Sequence, residues 1–118
     1  MSQAIWIRRL ALFGVVLCFA VVVLGAYTRL SDAGLGCPDW PGCYGHLTPA
    51  GAAANVEHVQ SAWPGSTFES RKAWIEMIHR YAATTLGFVI VLIAALAVVA
   101  RRAQLVSLPF AALLLVTV

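Results

Sequence analysis

Charge is what this sequence has least of. Asp, Glu, Lys and Arg make up 11% of its 118 residues, where a soluble domain carries about a quarter. That shortage excludes an ordinary water-soluble domain. Hydrophobic residues make up 61% and the mean hydropathy is +0.84, as expected of an all-α integral membrane protein. Beside its long polar stretch, the length admits three spans at most. The net charge is +3 and the basic residues are scattered. There is no basic patch for a nucleic acid, and no such partner is expected. The pI near 9.1 reflects arginines at the edges of the apolar runs.

Met1 to Arg9 is a short basic start, and residues 10–27 form an uncharged predicted helix, about 27 Å long. A cleaved signal peptide is the rival reading. The run is longer than a signal peptide's usual stretch of about 7–15 residues, and Leu24-Gly25-Ala26-Tyr27 offers no clean small-x-small cleavage site. A retained helix is therefore expected. Gly14, Ala20, Gly25 and Ala26 would permit close helix contact, but ordinary membrane-helix composition accounts for them and is the reading adopted. Cys18 lies within the run as a small hydrophobe.

Residues 28–65 form the predicted outer loop. Gly34, Gly36, Pro38, Pro41, Gly42 and Gly45 crowd its first half, and an Ala-rich stretch from Pro49 to Gln60 suits a short helix. Pro64-Gly65 breaks the chain. Ser66-Thr67-Phe68-Glu69 then fits a capping box, predicting a helix over 66–100 about 50 Å long. Its first turns would project above the bilayer, with Trp74 and Tyr81 near the interface. The apolar run from Leu105 to Val118 has 14 residues, short of the roughly 20 that cross a bilayer. A partial helix over 105–118 follows, and the chain reads as a piece of a longer bundle.

Arg8-Arg9 and Arg101-Arg102 fall on one side if two helices separate them. The positive-inside rule makes that side, and the N-terminus, cytoplasmic. Residues 28–72 then lie on the outer face.

In that loop Cys37 and Cys43 stand six positions apart, with Pro38, Pro41 and Gly42 between them. An oxidising compartment favours a disulfide, which in the chain-entropy model stabilises a loop of this size by roughly 2–2.5 kcal/mol. A metal site including His46, and free thiols, are the alternatives. A C-x-x-C-H run is absent, so nothing points to covalent haem attachment.

Glu76-Met77-Ile78-His79-Arg80 sits where polar sequence enters the apolar run from Tyr81 to Ala100. Ionisable groups at the mouth of a span are costly and mark functional sites. Helical spacing puts Glu76, His79 and Arg80 on one side, with the small Ala83 and Gly87 beneath. Room for a flat, bulky group makes His79 a candidate axial ligand of haem iron. The plainer alternative is an interfacial histidine bonded to Glu76 or to a loop carbonyl. His46 and His58 read as solvated loop residues, so a second axial histidine would come from a helix outside this chain.

The motifs running from Gly25 to Leu30, from Asp32 to Gly45, and from Glu76 to Arg80 together resemble haem A synthase, in its bacterial form with paired loop cysteines. That membrane enzyme oxidises the C8 methyl of haem O to the formyl group of haem A for cytochrome oxidase biogenesis. The resemblance implies an eight-helix bundle in two similar halves, of which this chain covers the beginning. It implies a bacterial inner membrane location, His79 on the haem iron, Glu76 as the catalytic carboxylate, and Cys37–Cys43 as the loop disulfide. Arg29 or Arg80 would pair with haem propionates. A cofactor haem b would sit in the absent C-terminal half. Haem O synthase would donate the substrate, and a redox partner and a homo-oligomer are compatible with the resemblance. This chain alone is expected to be inactive. The competing readings are a non-catalytic b-type haem cytochrome passing electrons to a quinone or protein, in which Glu76 would not be needed, and a cofactor-free assembly subunit.

Overall fold

The computed structural model describes residues 3–102. It is all-helical, with α1 at Gln3–Leu30, α2 at Pro49–Ala53, α3 at Val56–Ala62 and α4 at Ser70–Arg102. The partial helix expected over 105–118 lies outside the described residues. The chain divides into two compact units. One combines α1 up to Val21 with α4 from Ala83; the other runs from Val22 to Ala82.

The first unit is built from apolar side chains. Leu86, Val89, Ile93, Ala97 and Ala100 are buried along one stripe of α4, and Ala11 is buried on α1. Spacings of three and four residues keep that stripe on one face. Gly14 is buried; a Cβ there would lie 3.6 Å from Val89 and 3.7 Å from Ile93, an ordinary contact. The outer faces remain apolar and bare, with Phe19 72% and Phe88 70% exposed. Both helices are long and apolar enough to cross a bilayer. Large apolar side chains left in contact with solvent on such helices are explained by lipid.

Both long helices differ from their sequence-derived limits. α1 covers residues 3–30 rather than 10–27, because Arg8 and Arg9 are good helix formers at its exposed start. It ends in a Schellman turn: Asp32 takes a left-handed φ of 51°, its N–H donates to the Arg29 carbonyl, and the Ala33 N–H donates to the Thr28 carbonyl. α4 starts at Ser70 rather than Ser66. The expected capping box does not form, because the Ser66 hydroxyl donates to the Trp63 carbonyl at 2.9 Å. That closes a turn containing Gly65 at φ 91°. Glu69, the other half of the box, instead meets Lys72 at 3.5 Å.

The second unit holds the loop. Its Ala-rich segment forms α2 and α3 rather than one helix. Pro49 opens α2 without losing a needed donor, and Asn55 breaks the path at φ −132°, ψ 43°. Cys37, Cys43, Tyr44, Ala52, Val59, Ala73 and Met77 form its buried core, with Trp63 and Phe68 packed against it. Tyr44 meets both rings edge-on, with centroids 5.6 Å from Trp63 and 5.4 Å from Phe68. Edge-to-face pairs of this kind add about 0.5–1.5 kcal/mol beyond area burial.

Candidate functional site

Cys37 and Cys43 form a disulfide, with their Cα atoms 4.7 Å apart. This disposes of the free-thiol and metal alternatives, and no metal-holding cluster of His, Cys, Asp and Glu occurs among the described residues. Two more devices shape the loop. Tyr44 (φ 52°) and Gly45 (φ 77°) make a tight reversal, closed by paired bonds between Cys43 and His46 at 2.8 and 3.1 Å. Successive positive φ values define the type I′ hairpin turn, which favours Gly at its second central position. The Asp39 carboxylate caps the reversal by accepting the Tyr44 N–H at 2.5 Å and the Gly45 N–H at 2.8 Å.

α4 grips this loop with Glu76 and Arg80. Glu76 is 5% exposed. One carboxylate oxygen accepts the Cys37 N–H at 2.9 Å, and the other accepts from the Arg80 guanidinium. Arg80 also donates to the carbonyls of Asp39 (2.6 Å), Gly42 (2.8 Å) and, more weakly, Cys37 (3.4 Å). Glu four residues ahead of Arg is the favourable helical order. Hydrogen bonds to a charged group contribute about 1.5–3 kcal/mol each, so the loop is fastened to α4 largely through one guanidinium. At the next residue, the Tyr81 hydroxyl donates to the Leu47 carbonyl at 2.5 Å.

His79 faces elsewhere. The sequence expectation put Glu76, His79 and Arg80 on one side, but His79 and Arg80 flank Glu76 from opposite directions, about 100° apart around the helix. Arg80 therefore reaches the loop, while the imidazole of His79 packs on Gly25 of α1. A Cβ on Gly25 would lie 2.9 Å from Cε1 and 3.3 Å from Nε2 of His79. The plain compositional reading of the small residues thus suits Gly14 and not Gly25. His79 Nδ1 is buried and has no hydrogen-bond partner among the described residues. The interfacial alternative, a bond to Glu76 or to a loop carbonyl, is not made by this nitrogen. A buried polar atom left unsatisfied costs about 1–3 kcal/mol. An imidazole with an unpartnered nitrogen, on a helix of a membrane protein, is of the residue type that could hold haem iron.

Of the other expected site residues, Arg29 is exposed in the last turn of α1. It takes no part in the hydrogen-bonded set of Glu76, Arg80 and the loop. His58 is exposed in α3, as expected. His46 is half-buried against Gly51, where a Cβ would lie 2.9 Å from its Nδ1. Sequence reasoning missed Asp39 as the organiser of the reversal. The signal was an Asp shortly before Tyr44-Gly45, a pairing that suits a turn.

A helical membrane protein, with a disulfide-closed loop fastened to a buried Glu and a half-buried Arg, is the class these features define. The chain belongs to the COX15-CtaA family of cytochrome oxidase assembly proteins, whose family model matches residues 8–118. It is 50% identical over 91 residues to a heme A synthase of Shewanella oneidensis, covering 77% of this chain and 27% of that protein. It is 30% identical over 99 residues to one of Chelativorans sp., covering 75% and 27%. A heme A synthase of Caulobacter vibrioides is 33% identical over 97 residues, covering 73% and 27%. The chain thus spans about a quarter of the length of these curated relatives. No solved structure matches it.

Proposed function

We propose that this chain is the N-terminal part of a haem A synthase and carries one side of the site that receives haem O. The observation that carries the reading is the buried, unpartnered Nδ1 of His79 in a chain of this family. Haem iron held there would bring a redox-active macrocycle, carrying the methyl group to be oxidised, against α4. The conversion of methyl to formyl takes the oxygen of one water and releases four electrons and four protons, so it needs a proton acceptor and an electron acceptor. Glu76, one helical turn from His79, is the proton acceptor in this reading. Its pairing with Arg80 and the Cys37 amide fixes the position of the carboxylate. Arg80 secures the loop, and the exposed Arg29 is the guanidinium assigned to a haem propionate.

The remaining assignments lie outside this chain. A second histidine for the haem iron would come from a later helix, and a cofactor haem b would be held in the C-terminal half. Haem O synthase supplies the substrate. The protein sits in a bacterial inner membrane with its N-terminus in the cytoplasm and the disulfide loop on the outer face. The oxidising outer compartment agrees with Cys37–Cys43.

The test is a pyridine haemochrome spectrum of the full-length protein beside its His79→Ala variant, both expressed in cells supplied with haem O. Haem O and haem A signals in the parent, with haem A lost in the variant, are expected. A variant that makes haem A as well as the parent overturns the assignment.

A further inference from the structure

The glycine beneath His79 has a function of its own. Gly25 lies inside α1, where glycine is about 1 kcal/mol less favourable than alanine. What surrounds each glycine decides whether the structure requires the absence of a side chain. At Gly14 of the same helix nothing does, since a Cβ would make contacts of 3.6 and 3.7 Å with Val89 and Ile93. At Gly25 a Cβ would lie 2.9 Å from Cε1, 3.3 Å from Nε2 and 3.6 Å from Nδ1 of His79. The first distance is closer than carbon atoms approach without displacement.

What would be displaced is the ring, not the backbone. All three nearest atoms belong to the end of the His79 side chain, which rotates far more easily than α1 or α4 shifts. Ligating histidines are commonly held in orientation by the groups around them. Here no hydrogen bond at Nδ1 does so among the described residues. Packing on the bare Cα of Gly25 takes its place. We propose that Gly25 is a positioning residue for His79: the missing side chain on α1 sets where the imidazole stands, and hence the place of the haem it would hold. The consequence for haem rests on the reading of His79 as a ligand; the steric control of the ring does not.

The experiment uses full-length protein, isotopically labelled at histidine, in lipid nanodiscs. It compares the parent with Gly25→Ala and Gly14→Ala, using His79→Ala to assign the ring signal. Without haem, Gly25→Ala moves the His79 Hε1 resonance and Gly14→Ala leaves it in place. With haem bound, Gly25→Ala alters the axial-ligand signature in the electron paramagnetic resonance spectrum. It also weakens haem retention by about 10-fold or more, the range for residues that orient a metal ligand. An unmoved His79 resonance in Gly25→Ala overturns the proposal, whatever happens to haem. A moved resonance with an unchanged haem spectrum upholds the positioning role and removes His79 from the haem. If Gly25→Ala fails to fold, recovery in Gly25→Ala/His79→Ala upholds the contact, and failure to recover overturns it.

Discussion

The two units use different means of specification. In the unit formed by the start of α1 and the end of α4, burial falls on a stripe of interchangeable apolar residues, and much of the remaining surface is equally apolar. In the unit from Val22 to Ala82, individual atoms matter: one guanidinium on three loop carbonyls, one carboxylate on one amide, one disulfide, one absent Cβ. A lipid-facing helix surface needs to be apolar and of suitable length. A polar loop must find a partner for each buried donor and acceptor. Damage should therefore be graded, with single changes tolerated in the first unit and sharply felt in the second.

The largest effect is expected from Arg80→Gln. It leaves the Glu76 carboxylate buried without its ion and takes the charge from the bonds to the Asp39 and Gly42 carbonyls. Breaking a fully buried pair from one side costs about 3–5 kcal/mol, and this pair, with Arg80 half-buried, less than that. Limited proteolysis should then cut between Cys37 and His46, where the parent resists. Equal resistance in the variant would break the contrast between the units. Next comes Cys37→Ser/Cys43→Ser, expected to cost roughly 2–2.5 kcal/mol by loop entropy. It should lower the thermal midpoint of the parent and leave that of reductant-treated protein unchanged. The smallest effect is expected from Lys72→Ala. Lys72 meets Asp32 at 3.3 Å and Glu69 at 3.5 Å on an exposed surface, where such pairs contribute little and are screened by salt. Hydrogen exchange of the loop amides should differ little from the parent at low salt and not at all at high salt. A large change there would mean that surface charge also specifies this unit.

Much of this was legible from residue order. Two long helices followed from uninterrupted apolar runs, the disulfide from two cysteines bracketing turn formers, and a shared helix side for Glu76 and Arg80 from helical spacing. The capping box at Ser66 misled because a Ser hydroxyl can serve a turn behind it as well as a helix ahead, and Gly65 decided for the turn. The different directions of His79 and Arg80 were missed because a shared helix side was taken as a shared partner. The close approach at Gly25 could not be read at all. Gly14 and Gly25 look alike in the sequence, and only the residue opposite tells them apart.

Arg80 takes hold of the loop by main-chain oxygens, and every residue type supplies the same oxygen. The grip therefore places almost no demand on side-chain identity at the positions it touches. Trp40, 79% exposed in the middle of the gripped segment, can be exchanged without loosening it. The three positions the grip touches are held for separate reasons: Cys37 by its disulfide, Asp39 by its carboxylate on the Tyr44 and Gly45 amides, and Gly42 because a Cβ there would lie 2.5 Å from the His46 carbonyl oxygen. What this loop shows to its surroundings at positions such as Trp40 is thus separate from the anchorage beneath it.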